Sequence, residues 1–160
     1  MRVLTPLLAI MLLAAPVHGQ VRSGKVLTYD GVKLVMAAAE QEAARLGVRV
    51  TIAIVDPGGH ILMVHRLDGA HPGGVGIALG KAKTAANFRQ PTKRIEDSIL
   101  AGKTTYMTIE GLVPLQGGLP IRVDGEVLGA IGVSGATSQQ DEDIAAAGVQ
   151  ALVQAVGTGS

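Results

Sequence analysis

Two β-rich stretches, each doubling back through a tight turn, constrain this chain more than any other feature. In the first, Val48–Val55 is β-branched and apolar on both faces, Asp56-Pro57-Gly58-Gly59 is a turn signal, and His60–Leu67 returns as a second strand. In the second, Leu119–Val123 and Glu126–Val133 flank Asp124-Gly125, a dipeptide suited to two-residue hairpin turns. Strands joined this closely pair antiparallel, since a parallel neighbour needs a long crossover. Helical patterns fill the remainder. Over Thr28–Leu46, Val32, Val35, Met36, Ala39, Ala43 and Leu46 recur at helical spacing, with Glu40, Glu42 and Arg45 on the other side and Gly47 as a stop. Val75–Phe88 is a second helix, and Thr92 opens a short one through Leu100 in a capping role. Asp141–Val156 closes the chain, with three acidic residues in its first turn where the helix dipole favours them. A further short strand is expected near Met107–Val113, ahead of a Gly-rich loop. The sum is a single α+β domain over residues 28–156, a five-stranded antiparallel sheet flanked by helices.

The first nineteen residues stand outside that domain. Arg2 gives a short basic start, Val3–Val17 is almost wholly apolar, and His18-Gly19 supplies a small residue at the end, the layout of a secretory signal peptide. Pro6 and Pro16 interrupt the run, which falls short of the ~20 residues that span a bilayer. Cleavage is expected after Gly19, leaving a periplasmic or secreted protein with no stable membrane anchor and an exposed lead-in at 20–27. Cysteine is absent, which removes disulfides, catalytic thiols, thiolate metal sites and a lipidated N-terminus.

The formal net charge of +1, one Phe and two Tyr leave neither a basic footprint for duplexes nor aromatic platforms for single strands, so nucleic acid is not an expected partner. Gly102-Lys103-Thr104 imitates the end of a phosphate-binding loop, but Asp97 stands where the pattern needs its first glycine. His60 and His65 have opposite strand parity, so no shared metal ion is expected from them. Ser134 and Ser138 lack the sharp turn that presents a nucleophile.

Several motifs then appear in order: Val55-Asp56-Pro57-Gly58-Gly59, Arg66-Leu67-Asp68-Gly69-Ala70, Lys81-Ala82-Lys83-Thr84-Ala85, Gly117-Gly118-Leu119-Pro120, and Gly129–Gly135 followed by Asp141 and Asp143. The set resembles the GlcG/HbpS family, which also includes the C-terminal domain of PduO-type corrinoid adenosyltransferases. The likeness runs over Thr28–Val156. It implies a sheet packed between helices in a profilin/PAS-like layered fold, and assembly into dimers or larger homo-oligomers. It also implies a link to haem binding or sensing outside the cell, with haem as the cofactor to expect, although fold analogy alone establishes no reaction.

Arg66, Asp68, Lys81 and Thr84, with Gly117 and Gly118, form the expected ligand-binding set. Arg66 and Asp68 share strand parity where the strand opens into a loop, and Lys81 and Thr84 lie on one side of a helix. Lys81–Arg94 holds five basic residues and no acidic one. One reading is a solvated helix face beside an Arg66–Asp68 ion pair. The other is a pocket for carboxylates, either haem propionates or a small hydroxy acid. For axial ligation of haem, His65 is the first candidate and His71 the second, with apolar surface near Met63 and Phe88 against the porphyrin. An exported haem-binding protein is the leading expectation. The alternatives are an accessory protein or enzyme for a small carboxylate, relying on Asp68 or Glu110 as acid–base groups, and a purely structural oligomer.

Overall fold

Thr51–Val55 is buried at every position, on both faces, and a strand of that kind must sit inside a sheet covered on both sides. The computed structural model, which describes residues 24–157, places it there. The elements are α1 (Tyr29–Leu46), β1 (Thr51–Val55), β2 (Ile61–Arg66), α2 (Gly74–Phe88), α3 (Thr92–Leu100), a 3-10 turn (Thr104–Thr108), β3 (Gly118–Val123), β4 (Glu126–Ser134) and α4 (Ser138–Gly157). The sheet is antiparallel throughout, in the order β2-β1-β4-β3. The signal-peptide reading and its cleavage site lie outside the described residues.

Alternation along β1 divides the interior in two. Ile52 and Ile54 face the larger core, shared with Val35, Met36 and Ala39 of α1 and with Ile144 and Leu152 of α4. Ala53 and Val55 face the smaller one, against Ala78, Ala82 and Ala85 of α2. Alanine suffices there because α2 lies almost in contact with β4. A Cβ built on Gly132 would come within 2.1 Å of the Ala78 carbonyl oxygen and 2.5 Å of the Ala82 nitrogen. Helix α1 starts as its sequence indicates: Thr28 Oγ1 accepts from the Gly31 N–H at 3.2 Å, and Gly47 ends it with φ of +69°.

Four departures from the sequence reading have physical causes. The sheet has four strands, not the five of the expected profilin/PAS-like layering. Residues 104–108 coil into a 3-10 turn, and the flanking Gly102 and Gly111 hold positive φ that a strand does not accommodate. Thr92 does not cap α3; its hydroxyl instead accepts from the Gly118 N–H of β3 at 2.9 Å. Helix α4 begins at Ser138, earlier than Asp141, because Thr137 and Gln140 form a reciprocal capping box: Gln140 N–H donates to Thr137 Oγ1 and Thr137 N–H to Gln140 Oε1. His60 lies just outside β2, with its N–H and ring nitrogen both turned to Asp56.

Substituting Gly132→Ala drives a methyl group into the α2 backbone. A loss of about 1–3 kcal/mol or more is expected by urea denaturation, while Gly76→Ala, which meets nothing within 4 Å, leaves stability within about 0.5 kcal/mol.

Candidate functional site

The residues singled out in the sequence fall into a closed cluster and an open rim. Lys81, Thr84, Gly117 and Gly118 meet where α2 crosses the start of β3 and the end of β4. Lys81 is 3 % exposed; its ammonium donates to Asp141 Oδ2 and to the Val133 carbonyl, each at 2.8 Å. Asp141, equally buried, also accepts from the Ala136 N–H through Oδ1 at 3.0 Å. Burial pushes the Asp141 carboxyl above its ordinary value, against the opposing pull of Lys81 and the backbone donors. Gly117, at φ of +113°, closes the cluster: a Cβ there would lie 2.8 Å from Asp141 Cβ and 3.1 Å from Lys81 Nζ. Thr84 Oγ1 accepts from the Val113 N–H at 3.0 Å and so pins the segment after the 3-10 turn to α2. Lys81 therefore directs its charge inward and offers no ammonium to an incoming carboxylate.

Arg66, Asp68 and His71 make up the rim, all exposed. Arg66 pairs with Thr51 across the ladder, and Thr51 with Ser134, so these three side chains share the α2 face at one end of the sheet. The Arg66–Asp68 ion pair does not form among the described residues.

His65 sits on the opposite face. It is the cross-strand partner of Ile52, and its Nδ1 lies 2.5 Å from Glu40 Oε1 of α1. A carboxylate on one ring nitrogen orients an imidazole and fixes its tautomer, leaving the other nitrogen, which here has no partner among the described residues. The two axial candidates are thus separated by the sheet. Met63 packs with the α1 core, whereas Phe88 ends α2 edge-on to Tyr106, so they do not form one apolar surface. Among the described residues no three His, Asp or Glu side chains converge on a metal position. Sequence reasoning treated Glu40 as a solvated helix position and Asp141 as a dipole partner. Each finds its true contact far along the chain, with no local signal to mark it.

A sequence model for the family described as "Haem degrading protein HbpS-like" matches residues 27–150. The chain belongs to the HbpS-like family. It is 38 % identical to Protein GlcG of Escherichia coli strain K12 over 109 residues, 68 % of this chain and 81 % of that protein. The crystal structure of HbpS superposes with a TM-score of 0.76 at 32 % identity, covering 85 % of this chain and 96 % of that one. A PduOC:haem complex superposes with a TM-score of 0.72 at 28 % identity, covering 79 % and 95 %. Within this HbpS-like chain, the Lys81–Asp141 cluster joins α2, β4 and α4, while the rim residues and His65 are exposed.

Removing Lys81 strands a buried carboxylate. Lys81→Met is expected to lose about 3–5 kcal/mol at neutral pH in urea denaturation, and Lys81→Met with Asp141→Leu to lose less than the two single losses combined. The loss in Lys81→Met shrinks as pH falls. The folded Asp141 carboxyl, already raised by burial, takes up its proton before the unfolded chain does near 3.8. The stabilisation from that proton is complete below 3.8 and disappears as pH rises through the folded value.

Proposed function

We propose that this chain is an exported haem-binding protein in which His65 is the axial ligand and Glu40 orients it. The observation that carries the reading is the 2.5 Å contact between His65 Nδ1 and Glu40 Oε1 on an open face, in a chain whose family and structural relatives are associated with haem. His65 is half exposed, and its Nε2 is the nitrogen left for iron. Haem, when bound, supplies an iron with an axial position for a neutral imidazole. The protein's part is to hold the ring in one tautomer through Glu40 and to shelter the porphyrin.

One chain offers limited shelter. Ile61 and Leu62 are exposed on β2, an edge strand with no neighbour on its outer side among the described residues. Self-association over this edge would cover them and add a second wall to the haem, and is part of the proposal. Export rests on the basic start and apolar run of residues 1–19. Asp68 and Glu110 are both exposed.

Haemin titration of the mature chain, residues 20–160, is expected to give a saturable, sharpened Soret band at a stoichiometry of about one haem per chain or per dimer. Glu40→Gln should weaken binding about 10–100-fold and His65→Ala should change the spectrum. An unchanged spectrum in His65→Ala overturns the assignment, and a broad, non-saturating band in the wild type overturns haem itself.

A further inference from the structure

We propose that Glu142 is a proton-operated latch on the seam between α3 and α4, closed when its carboxyl is protonated and loosened when it ionises. None of the residues of this seam takes part in the haem reading, and the latch stands without it.

Gln116 is the hub of the seam. Its N–H donates to Glu96 Oε2 of α3 at 3.0 Å, and its side-chain amide donates to Gln139 Oε1 of α4 at 3.1 Å. Gln139 in turn donates to Asp143 Oδ1 at 2.9 Å. Residues 92–116 leave the body of the domain after α2 and rejoin it at β3. Among the described residues, their other polar ties to that body include the Thr92 hydroxyl on Gly118 and the Thr84 hydroxyl on Val113. The contact of Gln116 with α4 is therefore a large part of what holds this excursion against the last helix.

Glu142 enters the seam half satisfied. It follows Gln139 by three residues, on the same side of α4. The Gln116 amide faces its carboxyl, but Oε2 is shut off from solvent and has no hydrogen-bond partner. An ionised oxygen so placed has given up water and gained no donor. The surrounding charges make ionisation harder still. Glu96 and Asp97 stand on α3, and Asp143 stands on α4 itself. Lys93 is the one cation that eases the charge on Glu142, and its ammonium already serves both oxygens of Asp97, at 2.8 and 3.0 Å. Burial pushes the Glu142 carboxyl above its ordinary value and the Asp143 and Asp97 carboxylates push the same way, while the Gln116 amide and Lys93 oppose them.

A proton removes the buried charge without moving the side chain, and the seam stays shut. The stabilisation it contributes is complete below the ordinary value of 4.5 and is lost as pH rises through the folded value. Above that value the carboxylate escapes its neighbours by turning to water, away from Gln116, and residues 92–116 loosen from α4. The pH outside the chain thus sets how firmly this excursion is held.

The test compares the wild type with Glu142→Gln, which keeps the shape and removes the charge. Amide hydrogen exchange at Gln116 and Val113 is measured in both proteins at the same pH, so that the chemical dependence of exchange on pH cancels in the ratio. Near 4.5 the ratio of wild-type to variant rates should be close to one. At neutral pH it should rise to about threefold or more, and the urea midpoint of the wild type should fall below that of the variant. Lys93→Met removes the opposing cation and should start the rise at lower exposure of the site to base only if another group titrates; with Glu142 as the latch, it should move the rise to higher pH. Directly, the side-chain carboxyl resonance of Glu142 should titrate above its ordinary 4.5. A ratio that stays the same from 4.5 to neutral pH, or a Glu142 resonance that titrates at or below 4.5, overturns the latch. So does a rise that Lys93→Met moves to lower pH.

Discussion

A single buried ion pair ties together the parts of this molecule that are far apart in sequence. Lys81 reaches from α2 past the end of β4, takes the Val133 carbonyl on the way, and meets Asp141 in the first turn of α4. Asp141 in turn holds the Ala136 N–H of the β4–α4 connection. Taking two charges out of water is costly, and such a pair is retained only where further hydrogen bonds complete it, as they do here. Its geometry also dictates its surroundings. With the ammonium and carboxylate in place, only glycine fits at 117, and Gly118 can then lie against the Lys81 carbonyl while Thr92 holds both its N–H and its oxygen.

This arrangement explains how the functional surface is divided. Because α2 is anchored from beneath, its N-terminus projects at one end of the sheet beside Arg66 and above Thr51. The glycine-thinned β4 lets α2 press close against the sheet. On the other face, α1 brings Glu40 to His65, and the sheet keeps the two regions apart.

Much of this was legible along the chain. Both hairpins, their turns at Asp56–Gly59 and Asp124–Gly125, and the apolar stripe of α1 stand where local patterning puts them, because period-two and period-3.6 spacing act over a few residues. Lys81, Thr84, Gly117 and Gly118 stood out through the motifs that carry them, but as ligand-binding residues beside Arg66 and Asp68, whereas Lys81 is turned inward onto Asp141 and the Val133 carbonyl. The misread segment, 101–117, shows the limit. Its apolar residues Met107 and Ile109 suggested a strand, yet they are exposed, and the segment is shaped by the Thr84 hydroxyl and by Val113 packing over Gly80. The earlier start of α4 was present in the sequence as Thr137 and Gln140 at capping-box spacing, a signal outweighed by the acidic run that follows it.

The sequence by itself determined the α+β class, the antiparallel pairing and the family, since all three rest on order and short-range spacing. Tertiary structure decided what each polar side chain is for. Lys81 looked like a surface cation until a carboxylate 60 residues away was brought within 2.8 Å of it, and His65 looked unassisted until Glu40, 25 residues earlier, met its ring. Thr51 looked like one more β-former until its hydroxyl was left unpaired under the first turn of α2. Charge and hydrogen-bonding capacity belong to the residue, but whether they are consumed inside or offered to a ligand depends on distance and dielectric, and only the packed chain sets those.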